Sequence, residues 1–302
     1  MFCDIKLVGS MESGYVVSSR PDRYGTNVLG WVSAILIANQ HNIPLYHLCD
    51  TCHEKKISFD SSTQIFKNFI FHKILTDYCS GTFQNWNTAT QNGHHILQNY
   101  LLKDLVINNW FDLLDNCIET IGMGIPKKVR DSGLSKQWFD YFDSHAKSNG
   151  WELRWDPNNT LVIHVRLGDM ANQSNDIYQE YIGDVKLQKL IEYLHDNFPH
   201  YDIHLVTSPA PQDIERCERV TLFYSYVKGV WGDDCEDYAL WQMMNSKILI
   251  LSRSCFSFVA GLLHQGENCF AYDDNAMLRI VNSTGKGALW QSLDIDFTYK
   301  TP

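Results

Sequence analysis

The sequence predicts an α/β fold in two domains, and three observations predict it. The C-terminal half alternates short apolar runs with amphipathic helical stretches, the pattern of a parallel sheet wound on both faces. The N-terminal half opens with a strand, a polar loop, an apolar helix and a second strand, which together make one α/β unit. At 302 residues the chain is long enough for two domains with separate cores. The domains are placed at 1–155, α/β and rich in helix, and at 156–302, where the alternation is regular.

Taken in order, Tyr15-Val-Val-Ser18 reads as a strand. The polar stretch Arg20-Pro-Asp-Arg-Tyr-Gly-Thr-Asn27 holds Pro and Gly and breaks it. Val28–Asn39 reads as an apolar helix and Ile43–Leu48 as the second strand. Helical spacing then covers Thr63–Tyr78, His95–Ile121 and Lys136–Ser148. Ile96, Leu97, Tyr100, Leu101, Leu105 and Ile107 carry that spacing in the second of these. Gly122-Met-Gly-Ile-Pro126 ends it. Asn149–Thr160, with its Asn, Gly and Pro, reads as the linker, and Trp151 and Trp155 suggest that it packs on something. Beyond it, strands at Leu161–Val165, Ile203–Thr207, Thr221–Tyr226, Ile248–Leu251 and Asn268–Ala271 alternate with helices. The helices are Asp184–Asn197, Gln212–Glu218, Glu236–Asn245 and Ser254–His264. Ligands of such sheets bind beyond the carboxyl ends of the strands, so the strand ends are where chemistry is sought.

Bulk properties narrow the partners. Apolar residues make up 44% and charged residues 20%, as in soluble globular proteins. Aromatics reach 13%, with 9 Trp and 15 Tyr; flat rings of this kind stack on sugar faces, and they also fill ordinary cores. The net charge is −10 and no run of Lys and Arg exists, which argues against a nucleic-acid partner. A few Arg and helix N-termini can still hold a small anion. The nine cysteines are scattered and odd in number, unlike a disulfide framework. The first residues lack the layout of a signal peptide, and no apolar run reaches the length of a membrane span. The expectation is a reduced, soluble, cytoplasmic protein. The Asn-X-Ser/Thr sites at Asn158, Asn172 and Asn282 then read as chance matches.

Three strand ends carry candidate chemistry. The first strand runs into His164-Val-Arg-Leu-Gly-Asp169. Alternation places His164 and Arg166 on one side, and Gly168 permits a sharp turn and close approach of a ligand. The Arg166 guanidinium matches phosphate oxygens. Asp169 could accept a proton or fix Arg166, and an ordinary turn with an internal Arg–Asp pair would look the same. The second strand ends in Thr207-Ser208, hydroxyls that bind a nucleotide or cap the next helix. The fourth ends in Leu251-Ser-Arg-Ser-Cys-Phe-Ser257, where small hydroxyl residues precede an apolar helix, a ready anion site or a plain cap. Asp233, Asp234, Glu236 and Asp237 cluster at a helix start, where the helix dipole favours acids.

Together these residues resemble the fucosyltransferase superfamily, and the α-1,2 branch in particular. His164, Arg166, Gly168 and Asp169 match its His-x-Arg-x-Gly-Asp signature. Asp237, Leu240, Met243 and Met244 resemble its acidic helix, and Ser252, Ser254, Phe256 and Ser257 its serine loop, with Cys255 in place of Ser or Thr. Tyr24-Gly-Thr-Asn27 is a looser version of its N-terminal loop. The resemblance covers Thr160–Leu263 well and Ser19–Pro44 weakly. It implies a GT-B-like arrangement, two Rossmann-like domains facing across a cleft, with residues 156–302 holding the nucleotide sugar and 1–155 the acceptor side. It implies GDP-fucose as donor, a glycan hydroxyl as acceptor, inversion at the anomeric carbon, and neither cofactor nor metal. Arg166 would hold the diphosphate, with His164, Gly168, Thr207, Ser208, Asp237, Ser252, Ser254, Phe256 and Ser257 at the donor. Asp169 would be the base. Asp22, Arg23, Tyr24, Gly25 and Asn27 would face the acceptor, with Asp22 a second candidate base. One departure stands out: where the family has Ser/Thr-Asp, this chain has Ser208-Pro209, which opens the alternative of another donor such as UDP-xylose. An inactive sugar-binding relative is a further alternative, against which the retained Arg166 and Asp169 argue.

Other signals are weaker. Cys49-Asp-Thr-Cys-His53 fits covalent haem attachment, or half of a zinc site with His47, but has neither an export signal nor a second Cys pair. His94-His95 reads as a surface pair. Gly122-Met-Gly lacks the strand and third Gly of a dinucleotide fingerprint. Asp233-Asp234 and Asp273-Asp274 lack the Asp-x-Asp spacing of metal-dependent glycosyltransferases.

Overall fold

Strand pairing in the computed structural model builds two parallel sheets, one in each of two compact units, Met1–Lys128 and Val129–Pro302. The structure describes residues 15–18, 24–25, 27–28, 31–32, 35, 39, 42, 44–48, 69–83, 95–96, 132–167, 182–252, 254–272 and 291–293.

In the first unit the strands are β1 (Tyr15–Ser18), β2 (Leu45–Leu48), β3 (Gly81–Phe83) and β4 (His95–Ile96), in the order β3-β2-β1-β4. Helix α1 (Ile70–Tyr78) buries Ile70, Phe71, His72, Ile74 and Leu75 at helical spacing. Tyr24, Gly25, Asn27 and Val28 already have helical backbone, so the helix expected from Val28 begins within the stretch read as a loop. Trp31, Val32 and Ile35 are buried on that helical stretch. His95 and Ile96 were expected to open a helix. They form a strand instead, paired with Tyr15 and Val16 of β1, because an available strand edge overrides local propensity. The rest of that expected helix lies outside the described residues.

The second unit holds β5 (Thr160–His164), β6 (Asp202–Thr207), β7 (Val227–Gly232), β8 (Ile248–Leu251), β9 (Asn268–Tyr272) and β10 (Gln291–Leu293). Their order is β10-β9-β8-β5-β6-β7. Counted from β5 this is the Rossmann order, and the chain reverses direction across the sheet between β5 and β8. Helices α3 (Asp184–Asn197) and α4 (Pro211–Thr221) pack on one face. There Leu161, Ile163, Val165 and Leu167 meet Leu187, Leu190, Ile191 and Leu194 of α3 and Cys217 and Val220 of α4. Each such aliphatic side chain, fully buried, contributes about 1.5–3 kcal/mol.

Helices α2 (Leu134–Ser148), α5 (Glu236–Met244) and α6 (Cys255–Leu263) pack against one another, and α6 also lies on β8. Trp138 and Phe142 of α2 are fully buried. The Ser135 hydroxyl of α2 donates to the Leu262 carbonyl of α6 at 2.6 Å. These contacts go with the place of α2 in the second unit, Val129–Pro302.

The strand expected at Thr221–Tyr226 lies six residues later. Leu222 and Phe223 are 73% and 87% exposed in the turn, and the strand is Val227–Gly232. The aromatic run has higher strand propensity than Val-Lys-Gly-Val-Trp-Gly. An edge strand, however, is defined by the neighbour it pairs with, here β6. Trp231 folds back over Gly229, where a Cβ would come within 2.6 Å of the indole.

Candidate functional site

The switch between β5 and β8 is where an open α/β sheet forms its ligand crevice. Backbone pairing of these strands runs as far as Ile163 opposite Ile250. Beyond that point β5 stays with β6, through the Val165 N–H to the Val206 carbonyl at 2.8 Å. On the β8 side a side-chain bond takes over, with His164 Nδ1 2.5 Å from Ser252 Oγ. The Ser252 N–H donates to Ser257 Oγ at 3.1 Å, and the Ser254 N–H to the Ser252 carbonyl at 2.8 Å. Ser254 then takes the N-cap position of α6 with extended backbone and no capping bond from its side chain. Phe256 sets its ring 5.9 Å from that of His164.

His164, Ser252 and Ser257 are buried, and Cys255 and Phe256 half-buried. Burial pushes the His164 pKa down to about 4, so the ring is neutral at physiological pH. Arg166 is half-buried, two residues past the strand end. Val165 and Leu167 on either side of it belong to the core against α3 and α4. Alternation therefore gives Arg166 the same side as His164.

The helices that follow the strands of this sheet differ at their N-termini. Helix α3 opens on Asp184, which accepts from Arg216 Nε at 2.9 Å. Helix α4 has Asp213 in its first turn and α5 has Glu236 and Asp237. Helix α6 has no acid in its first turn. A helix N-terminus carries about half a positive charge. At α3, α4 and α5 the chain's own carboxylates answer it; the described first turn of α6 carries hydroxyl, thiol and backbone N–H groups and no acid. An anion is best accommodated there.

Thr207 is buried on the α4 face, beside the Cys217 thiol. The Ser208 hydroxyl donates to Asp213 and accepts the Ala210 N–H at 3.3 Å, so it closes the turn into α4. Gly232 at the end of β7 approaches the Ser208 carbonyl so closely that a Cβ would lie 2.5 Å from it. Asp237 is buried in the first turn of α5. In the first unit Tyr24 is buried and stacks on Phe69 with centroids 4.1 Å apart, and Asn27 is buried too. Asp22, Arg23, Gly168, Asp169 and Arg253 lie outside the described residues, as do Cys49, Cys52, His53 and Asp273-Asp274.

Sequence reasoning missed the role of Arg154. From the linker it reaches Asp233, just past β7, through two bonds of 2.8 and 2.5 Å. Its guanidinium lies 4.8 Å from the ring centroid of Trp231 and 5.1 Å from that of Tyr238. Trp231 Nε1 in turn donates to His204 Nδ1 at 3.1 Å, and Trp155 lies against His204 with centroids 5.0 Å apart. Asp233 is thereby committed to holding the linker on the sheet. Seventy-nine residues separate the pair, and no local pattern could have announced it.

No protein-family model matches the chain, and no curated protein does. Solved structures similar to it include the E. coli heptosyltransferase WaaC with ADP, at 12% identity over 92% of each chain and a TM-score of 0.47. POFUT1 in complex with GDP-fucose is similar at 9% identity, over 86% of this chain and 97% of that one, with a TM-score of 0.42. A family 9 glycosyl transferase from Veillonella parvula is similar at 10% identity, over 87% and 82%, with a TM-score of 0.41. Among the described residues no group of three or more His, Cys, Asp or Glu is placed to hold a metal ion. No described helix is long and apolar enough to cross a membrane.

Proposed function

We propose that this protein is an inverting, metal-independent glycosyltransferase. Its donor is a nucleoside-diphosphate sugar, with GDP-fucose the one favoured by the sequence resemblance, and its acceptor is a glycan hydroxyl. The observation that carries the reading is the pairing, at the two strand exits flanking the switch point, of Arg166 with the acid-free start of α6. Both suit a diphosphate, and the His164–Ser252 bond joins the exits that present them.

In the reaction the acceptor oxygen forms a bond to the anomeric carbon from the face opposite the diphosphate. The anomeric carbon–oxygen bond breaks, and its electron pair leaves on the phosphate. Arg166 and the α6 N–H groups stabilise that charge as it develops. The hydroxyl proton passes to a carboxylate, for which Asp169 is the first candidate and Asp22 the second. A second reading is another donor, such as UDP-xylose. It is favoured by the exit of β6, where Pro209 follows Ser208 and the Ser208 hydroxyl is committed to a buried Asp213.

A thermal-shift panel with GDP, UDP, CDP, ADP and their sugars tests both. Stabilisation by GDP and GDP-fucose alone supports fucose transfer. Stabilisation by UDP instead removes fucose, and no shift with any of them removes the nucleotide-sugar reading altogether.

A further inference from the structure

We infer that His164 and Ser252 form a clasp that holds the start of α6 against the exit of β5, which makes His164 a positioning residue and not a ligand of the donor. The inference rests on the nucleotide-sugar reading of this site. The bond sits one residue past Ile163 and Ile250, where the β5–β8 ladder ends. Both side chains are buried, His164 at 6% and Ser252 at 0% exposure, so water does not compete for the bond. Ser252 passes its position on through its own N–H to Ser257 Oγ, inside the first turn of α6. Phe256 of the same turn flanks the imidazole. A displacement of the His164 ring is therefore felt at the residues whose N–H groups would meet the phosphate. The ring is neutral, with its pKa depressed by burial, so it brings no charge of its own to an anion. The contact joins residues 88 apart in sequence and stands in for a backbone ladder where the crevice must open.

The test uses the full-length protein, with GDP, ADP, UDP and CDP as calorimetric probes and the tightest of them carried forward. Ser252→Ala removes the hydroxyl that bonds to His164 Nδ1. We expect it to weaken nucleotide binding about tenfold and to raise KM for the donor more than it lowers kcat. The isosteres of His164 separate the two ring nitrogens. Asn places an amide near Nδ1 and Gln places one near Nε2. His164→Asn should return affinity to within about threefold of wild type, and His164→Gln should be as weak as Ser252→Ala. Adding Ser252→Ala to His164→Gln should then weaken binding no further.

Should Gln rescue and Asn fail, His164 touches the donor directly and the clasp is overturned. Should Ser252→Ala bind like wild type, the clasp is also overturned, with the nucleotide site intact. A wild-type protein that binds none of the four nucleotides overturns the site and the clasp together. If the His164 variants fail to fold, Ser252→Ala alone decides.

Discussion

The exits of β6 and β8 are built from the same kinds of residue and end differently. Each strand runs out through a serine into a helix. At β6 the Ser208 hydroxyl turns back to Asp213, Pro211 opens the helix, and an acid occupies the first turn. The Ser208 hydroxyl there is taken up by the chain itself. At β8 the serines bond to one another and across to His164, and the first turn of α6 carries no acid. One exit is a finished cap and the other an unneutralised helix start. The lesson is that a hydroxyl-rich strand end is no site until its carboxylates have been counted.

Acid should undo both exits, with the largest effect of all. His164 ends β5 and bonds to the β8 exit, His204 is on β6, and His264 is just past α6, and burial lowers the pKa of each to about 4. Unfolded histidine titrates near 6.5. The unfolded chain therefore binds protons more readily, and stability falls as pH drops from about 6.5 towards about 4, with no change above 7. By pH 5 each buried histidine should remove about 2 kcal/mol. Urea unfolding at pH 7.5, 6 and 5 measures this, and a flat midpoint over that range would contradict the buried, neutral rings. His204 should show it most locally, since its Nδ1 must stay unprotonated to accept from Trp231.

Arg166→Ala comes next. Removing the one described cation at the switch-point exit should weaken nucleoside-diphosphate binding at least about a hundredfold, with the melting temperature little changed because the side chain is only half-buried. Calorimetry reads the first and thermal unfolding the second. Cys255→Asp should follow, at about tenfold or more. It gives α6 the first-turn acid that α3, α4 and α5 already have, so it should weaken anion binding while leaving the helix as stable as before or slightly more so. Unchanged affinity would mean that the α6 start is not where the phosphate sits.

Much of this was legible in the sequence. The strands of the second unit from Leu161 to Ala271 were readable, apart from β7, because buried parallel strands are short apolar runs with little else competing. Edge strands were not: β7 carries Lys228 and two glycines, and β3 and β10 are three residues each, so pairing and not composition defines them. At the candidate site, the residues of the two flanking loops were singled out by their types. What joins them was not, because the His164–Ser252 and Arg154–Asp233 contacts span 88 and 79 residues. Thr207 and Ser208 read from type either as nucleotide ligands or as a cap of the next helix. The alternation that turns Thr207 towards Cys217 and the acid that claims Ser208 both become decisive only once the helix is packed.

Asp213→Ala tests the other half of the comparison and should have the smallest effect. Asp213 is 4% exposed and is the acceptor for the Ser208 hydroxyl. Its loss leaves that hydroxyl without its acceptor and removes the acid from the α4 dipole, so the variant should lose about 1–2 kcal/mol of stability. Ser208 would still accept the Ala210 N–H, which keeps the turn from opening fully. Nucleotide affinity should stay within about twofold, a change of under about 0.5 kcal/mol, because Asp213 is turned to Ser208 and not to a ligand. Urea unfolding and calorimetry on the same preparation separate the two. If stability held and affinity fell tenfold, Asp213 would be reaching the donor, the β6 exit would belong to the site, and the contrast between a closed cap and an open helix start would no longer hold.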